Sequence, residues 1–576
     1  MKKNSILLIT ISLLALSGCN DISKPSTSDG IITTTDSTNT TSTTNTSGSQ
    51  TSISDSTSTT NTSTSGSSST TLDNESPERL DFYCVNDYHG RINKSISYTS
   101  NGSTVYEGGI SRLSTYLKDK KKDNEEGSVF LNAGDLWQDT YDSGSNKGEL
   151  LTKAMKQIGF EAIALGNHEF DWGTSVIESN KAIAESGDEK FTFLGCNIYN
   201  YDNNLKEATT QASHIASPYK VINRGNVKIG LIGAIGQGQI TSITSRNWEN
   251  LTFLNPAPIV KDLSDKLRKD EGCDLIIYML HAAYKDSSAS ELSSISPVTN
   301  KPYVDAGFLG HSHSFESYNV NNVPWIQSYH HGSFVGKISF TKQDDSYKCT
   351  YYSSYSTKED NGYGSGPSSI YACSEDNSIN SLINEYLTPS FISKKNEIVG
   401  SFINVTEDLN NFGSNIGKVQ AYTTSKYIDE LRKSNPNIPE IDLVFNNGNR
   451  ASVALNSDGS ISRENVFNLI PFTNNTIIAK VKGSDILYEK NYIKNSYYIP
   501  SEESLTIDSN KEYIIAGIDY MVLHKNTSRQ YNYFKTYTSS IYEVERYPFD
   551  ILADYLLENK TFDMSILSNV GFAGLN

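Results

Sequence analysis

Phe160–Gly173 reads FEAIALGNHEFDWG, an apolar run that breaks into a turn crowded with polar groups. Phe160 to Leu165 carries the continuous apolar pattern of a strand covered on both faces. Glycine, asparagine and aspartate after it spell a turn. A turn alone does not need His168, Glu169 and Asp171 within five residues of Asn167. The strand end is therefore read as a place where chemistry is done.

The same layout repeats along the chain. RLDFYCV, SVFLNA, VKIGLIGAI, CDLIIYML and VDAGFL are further short apolar runs, and GGISRLSTYLKDKKKD and GELLTKAMKQIG between them have helical patterning. Such alternation predicts an α/β domain. RLDFYCV is followed by Asn86, Asp87, Tyr88 and His89, and SVFLNA by Gly134 and Asp135. LIIYML delivers His281, and AGFL delivers Gly310, His311, Ser312 and His313. In open α/β sheets, ligands bind at the C-terminal ends of the strands. Taken singly, a post-strand aspartate is an ordinary helix cap and a lone histidine an ordinary structural residue. Five of nine histidines gathered at one end of the predicted sheet are a site.

Seven potential metal ligands stand in these turns: Asp87, His89, Asp135, Asn167, His281, His311 and His313. That is too many for one tetrahedral ion and suits two ions sharing a carboxylate, with Asp135 as the natural bridge. Asp87 and His89, two residues apart, are expected on one side of an extended segment, as are His311 and His313. Imidazole, carboxylate and amide oxygen together suit zinc, manganese, iron or cobalt.

In this order, NDYHG, AGD, GNHEFDWG, LH and GHSH resemble the calcineurin-like metallophosphoesterases, and more closely their 5′-nucleotidase branch. GGISRLSTYL and IQSYHHGSFVGKISF are similar to that family as well, and the resemblance runs from about Leu80 to the C-terminus. It implies that Asp87, His89, Asp135 and His313 hold one divalent ion, and Asp135, Asn167, His281 and His311 the other. His168 would face the substrate phosphoryl group, with Asp171 orienting its imidazole. The implied reaction is hydrolysis of 5′-nucleotides or related small phosphate esters by a metal-activated hydroxide. Glu169 is read as a supporting or solvated residue.

The resemblance also divides the chain. It implies an α/β protein of two domains: a metallophosphoesterase α/β sandwich over 78–348 and a C-terminal α+β substrate-binding domain over 401–576. A connecting segment over 349–400 joins them, in which NSINSLINEYLTPSFISKKNEIVGSF reads as a helix leading into a strand. DLVFNNGNRASV, NIGKVQAYTT and GSISRENVFNLIPFTNNTIIAKVKGSDIL carry the outline of the family's C-terminal domain. Arg450 maps to the family's substrate-contacting arginine, Phe472 to the aromatic that stacks on the base, and Asn446 to the start of the same substrate loop. That loop is shortened here to NNGNR, and the arginine expected before NIGK is missing. MVLHKNTSRQYNYF, with Tyr531, Tyr533 and Phe534, replaces the usual GGDGY segment. The rewritten pocket keeps two alternatives open: a phosphodiesterase or sugar-phosphate hydrolase, and a surface binding protein that lost its activity.

The length of 576 residues predicts more than one domain. Lys2, Lys3, the apolar ILLITISLLAL and the closing LSGC over 16–19 read as a signal peptide over 1–19 with a lipobox, making Cys19 the lipid attachment point. Residues 20–77 are almost wholly Ser, Thr, Asn, Gly and Asp and read as a disordered tether. As a flexible coil of roughly 55 residues it would reach about 40 Å. These features predict a lipid-anchored protein on the extracytoplasmic face of a membrane. A net charge of −17 argues against a nucleic-acid polymer as partner. It leaves small anionic esters open, because a metal ion can carry the local positive charge. Cys84, Cys196 and Cys273 adjoin apolar runs and are expected as buried thiols, whereas Cys349 and Cys373 could pair.

Overall fold

The computed structural model describes residues 75–98, 104–248, 250–354, 369–446, 451–492, 496–523, 540–572 and 574–575. Cys19, Arg450, Tyr531, Tyr533 and Phe534 lie outside the described residues, as do the signal peptide over 1–19 and the tether up to residue 74.

Every apolar run singled out in the first half is a strand. The strands that build the sheets there are β1 (Arg79–Val85), β2 (Ser128–Asn132), β3 (Phe160–Ala164), β4 (Thr192–Leu194), β5 (Tyr219–Arg224) and β6 (Val227–Ile235). They continue with β7 (Leu275–His281), β8 (Ala306–Leu309), β9 (Phe315–Val320), β10 (Val323–Ser328), β11 (Gly336–Gln343) and β12 (Ser346–Ser353). They form two six-stranded sheets, not one. The orders are β12-β11-β1-β2-β3-β4 and β9-β10-β8-β7-β6-β5. Parallel pairs fill both centres, and antiparallel strands lie toward the edges.

Side-chain alternation explains why the sheets stack. Phe82 and Cys84 of β1 join Val129 and Leu131 of β2 in a core shared with Ile277 and Met279 of β7 and Phe308 of β8. Tyr83 and Val85, pointing the other way, pack with Leu113 and Leu117 of helix α1 (Gly109–Asp123) and with Leu150 and Met155 of α2 (Glu149–Ile158). Behind the second sheet, Ile276, Tyr278 and Leu280 meet Val260 and Leu267 of α3 (Pro256–Lys269). Both faces of each sheet are covered, so the central strands have no polar side. The result is a helix–sheet–sheet–helix sandwich whose two sheets bring their strand ends to one rim.

The connecting segment departs from expectation. Among the described residues it holds a short helix over Ser369–Ala372 and two longer ones, α4 (Asn377–Tyr386) and α5 (Pro389–Lys395), before strand β13 (Ile398–Ile403). Pro389 cannot continue a helix and starts a new one, and the Thr388 side chain caps it by accepting from the Phe391 amide. Further on, α6 (Ile416–Ser434) and β14 (Leu443–Asn446) are followed by β15 (Thr476–Lys482), β16 (Ser496–Tyr498), β17 (Glu512–Ile518), β18 (Ser540–Glu543) and α7 (Pro548–Asn559). These strands form a mixed sheet ordered β16-β14-β17-β15-β18. Its core unites Val419 and Ile428 of α6, Val444, Ile478 and Ala516 of the sheet, and Leu552 and Leu556 of α7.

None of the five described cysteines is in a disulfide: Cys84, Cys196 and Cys273 are buried, and Cys349 and Cys373, which could have paired, are partly buried. No described helix is long and apolar enough to cross a membrane.

Candidate active site

The site is built from turns, not from extended chain. Asp87, His89, Asp135, His311 and His313 all have positive φ, between 48° and 75°. The expectation that Asp87 with His89, and His311 with His313, project from extended segments is therefore corrected. Each pair converges because the backbone curls into the left-handed region, at about 1–3 kcal/mol per non-glycine residue. Hydrogen bonds between turns hold this strained backbone. The Asp87 amide donates to the Gly134 carbonyl and the His89 amide to the Asp135 carbonyl, each at 3.0 Å. The His311 amide reaches both Asp87 carboxylate oxygens at 2.9 Å, which ties the rim of one sheet to that of the other.

All seven candidate ligands are brought together. Asp87, His89 and His313 form one group with donor atoms within 4.8 Å of one another, and Asp135, His281 and His311 form a second. Asp135 lies between them, its Oδ2 3.0 Å from His281 Nε2 and 3.8 Å from His89 Nε2. Asn167 Oδ1 lies 3.2 Å from His281 Nε2 and 3.1 Å from His311 Nδ1. His89 Nδ1 bonds the Gln138 carbonyl at 3.0 Å and His281 Nδ1 the Ala133 carbonyl at 2.9 Å, so each ring turns Nε2 inward. His89 Nε2 and His313 Nε2 face each other at 2.9 Å. Asp87, His89, Asp135, Asn167 and His281 are at most 3% exposed.

Electrostatics fit the same reading. Burial would raise the Asp87 carboxyl, but the His313 and His281 rings hold it down at about 2. Burial also acts to raise Asp135, and His281 and His168 keep it well below the usual carboxylate range. Two ionised carboxylates, an amide oxygen and four imidazoles converging at one largely buried place suit two divalent cations.

Glu169 takes the supporting one of its two expected roles. It is fully buried, and its carboxylate accepts from the amides of Asp135 (2.9 Å), Leu136 (2.7 Å) and Gly166 (2.7 Å). It is not solvated; it pins the Asp135 turn to the Asn167 turn. Burial, together with the Asp135 carboxylate, raises it to about 7. Gly166 is required for a different reason: a Cβ there would collide with the Asp135 carboxylate and backbone.

His168 stands beside the ligands. Its Nδ1 donates to Asp171 Oδ2 at 2.7 Å, and its amide donates to Asp135 Oδ1 at 2.9 Å. Burial alone would lower the imidazole, but Asp171 and Asp135 raise it to about 10, which favours the imidazolium. Its ring centroid is 5.1 Å from that of His89.

Of the residues assigned to substrate, Asn446 and Phe472 line one small recess with Gln420, Ile470, Asn474, Ile518 and Pro548. Asn446 is 1% exposed, at the end of β14. The loop of Phe472 touches the metal-ligand rim directly, because the Gln138 side chain donates to the Pro471 carbonyl. Gln138 is the residue whose own carbonyl orients His89.

A neighbouring cluster escaped the sequence reading. His331 Nδ1 lies 2.8 Å from Glu107 Oε1, with His330 adjoining, and Arg91 Nη2 lies 3.2 Å from His331 Nε2 and 3.0 Å from Asp139 Oδ2. The guanidinium supplies the positive charge there, which makes it an ion-pair network flanking the site. Its only sequence signal was the paired histidines of SYHHGS.

Comparison with known proteins agrees with the geometry. The model of the calcineurin-like phosphoesterase family matches residues 80–315. An apyrase of Tabanus yao is 30% identical over 239 residues, covering 41% of this chain and 39% of the apyrase. A 5′-nucleotidase of Vibrio cholerae is 26% identical over 289 residues, covering 46% of this chain and 48% of that one. The chain thus spans less than half the length of these curated relatives. In fold, it is similar to the crystal structure of a 5′-nucleotidase precursor from Thermus thermophilus, with a TM-score of 0.59 at 18% identity. That match covers 84% of this chain and 97% of the other. With five strained residues in three turns helping to gather seven donors at the shared rim of two sheets, residues 80–315 are a calcineurin-like phosphoesterase domain, in a chain whose homologues include 5′-nucleotidases.

Proposed function

We propose that the protein is a two-metal phosphoesterase that hydrolyses 5′-nucleotides or related small phosphate esters outside the cytoplasm. The observation that carries this reading is the grouping of donors around Asp135, with the His168–Asp171 pair beside them. Asp87, His89, Asp135 and His313 would hold one divalent cation, and Asp135, Asn167, His281 and His311 the other. When bound, such ions supply Lewis acidity toward phosphoryl oxygens and lower the pKa of water.

The remaining work falls to the chain. Asp171 keeps His168 oriented through the 2.7 Å bond to Nδ1, leaving Nε2 for the substrate. The imidazolium neutralises charge that develops on the phosphoryl oxygens, and it holds a proton within reach of a departing alkoxide. Phe472, in a loop anchored to Gln138, would stack on a nucleobase. Lipidation at Cys19 would hold the body near a membrane, and the 20–77 tether would let it reach out. Cys19→Ser should then move the protein out of the membrane fraction with activity unchanged.

The shortened NNGNR loop and the absent GGDGY segment favour a second reading of specificity, a phosphodiesterase or sugar-phosphate hydrolase. The deciding experiment measures hydrolysis of an aryl phosphate and a panel of 5′-nucleotides, cyclic nucleotides and sugar phosphates, with and without a chelator. Chelator-sensitive hydrolysis with preference for 5′-nucleotides is expected. Preference for another ester class would replace the substrate assignment, and no hydrolysis of any ester would leave a binding protein.

A further inference from the structure

Between the two domains lies a four-residue turn, Thr244–Asn247, that touches both the C-terminal domain and the His168 pair. Three of its residues grip the C-terminal domain. Thr244 Oγ1 accepts from Asn474 Nδ2 at 3.0 Å, and Ser245 Oγ donates to the Leu523 carbonyl at 2.8 Å. Arg246 Nε lies 3.3 Å from Asp519 Oδ2, and its Nη2 lies 2.8 Å from Glu543 Oε2. The fourth grips the catalytic pair: Asn247 Nδ2 donates to the Asp171 carbonyl at 2.8 Å.

The turn itself is stiff. The Asn247 amide closes on the Thr244 carbonyl at 2.9 Å, and the following Trp248 is 9% exposed within the same core as Phe170. Its partners across the interface are tied to the substrate recess. Asn474 lines that recess with Phe472, and the Asp519 amide bonds the Asn475 carbonyl at 2.9 Å. Displacement of the C-terminal domain would therefore pull on the turn next to Asp171.

We propose that Asn247 is a positioning residue for the Asp171–His168 pair, and that Arg246 makes this positioning depend on the docked C-terminal domain. The inference rests on the proposed role of His168 and deepens it. Proton donation is sensitive to small misplacement, since a shift of about 1 Å can cost on the order of 10²-fold. An acid is needed most when the leaving group is a poor one. A nucleoside alkoxide needs the proton, and a nitrophenolate does not.

The test compares kcat on a 5′-nucleotide and on a nitrophenyl phosphate, using the full chain loaded with metal. Asn247→Asp keeps the shape and removes the donor; its folding is checked by thermal unfolding, and the effect of its added charge by measuring Asn247→Ala alongside. It should lower kcat on the nucleotide roughly tenfold, a fraction of the effect of a whole acid, and leave KM and the nitrophenyl rate alone. Arg246→Met should do the same, and the double variant should be no worse than the worse single variant, because both act along one path. Equal losses on both substrates, or additive losses in the double variant, would overturn the inference. His168→Ala separates the two layers of argument. If it shows the leaving-group dependence and Asn247→Asp does not, only the role of the turn fails. If His168→Ala lacks that dependence, the assignment of His168 as the acid fails.

Discussion

His168 and Glu169 are neighbours with opposite tasks. In the proposed reaction His168 would hold a charge beside the substrate, and its Nδ1 bond to Asp171 was implied by the family resemblance. His168→Ala should keep its metals and lose about 10²–10⁴ in turnover, the range for a positioned acid or electrostatic group. Metal loss in that variant, read by elemental analysis, would make it a ligand. Glu169 serves backbone amides from two turns, and no spacing pattern announces a carboxylate that bonds only main chain. Glu169→Gln sets an amide NH₂ against a backbone N–H, so both turns should loosen. We expect metal affinity to fall about 10–100-fold, as for other residues that orient ligands; unchanged affinity in a calorimetric titration would mean that the turns hold themselves.

At the scale of elements, apolar runs gave away the strands because buried central strands must be apolar on both faces. Their division into two sheets was not legible, since nothing in RLDFYCV or CDLIIYML says which strand lies beside it. The turns were legible as composition and not as conformation: Asp87 and His311 look like ordinary strand-end residues until their φ values of 48° and 75° are seen. Pro389 was visible, and the break it imposes was the stronger local signal than the helical pattern around it. The loop over 471–475 brings the C-terminal domain to the rim through Gln138. If its Phe472 stacks on a base, worth about 1–3 kcal/mol, Phe472→Ala should lower kcat/KM for a nucleotide by roughly one to two powers of ten. An aryl phosphate should be turned over normally. An equal loss on both substrates would mark Phe472 as a packing residue, which its contact with the C-terminal core makes the competing reading.

The whole molecule joins a catalytic sandwich to a C-terminal domain through charged and polar contacts that sequence could not pair. Arg246 and Asp519 are 273 positions apart by number and meet at 3.3 Å. Asp519 is 2% exposed, and burial raises its carboxyl to about 6 despite Arg246. A carboxyl raised in the folded state binds its proton more tightly there than in the unfolded chain. Its contribution is therefore full below the unfolded value near ~4 and is lost as pH rises through about 6. Two pH units correspond to ~3 kcal/mol. Thermal unfolding between pH 4 and 6.5 should show wild type losing stability relative to Asp519→Asn as pH rises; parallel profiles would show that Asp519 titrates normally.

The central claim is that one buried carboxylate joins two groups of ligands around two divalent cations. Metal content per chain, measured on the purified protein and on Asp135→Asn together with phosphate release, tests it most directly. The structure predicts two tightly held ions in the native chain, and loss of metal and hydrolysis together in the variant. An Asp135→Asn protein that keeps two ions and normal turnover would contradict it.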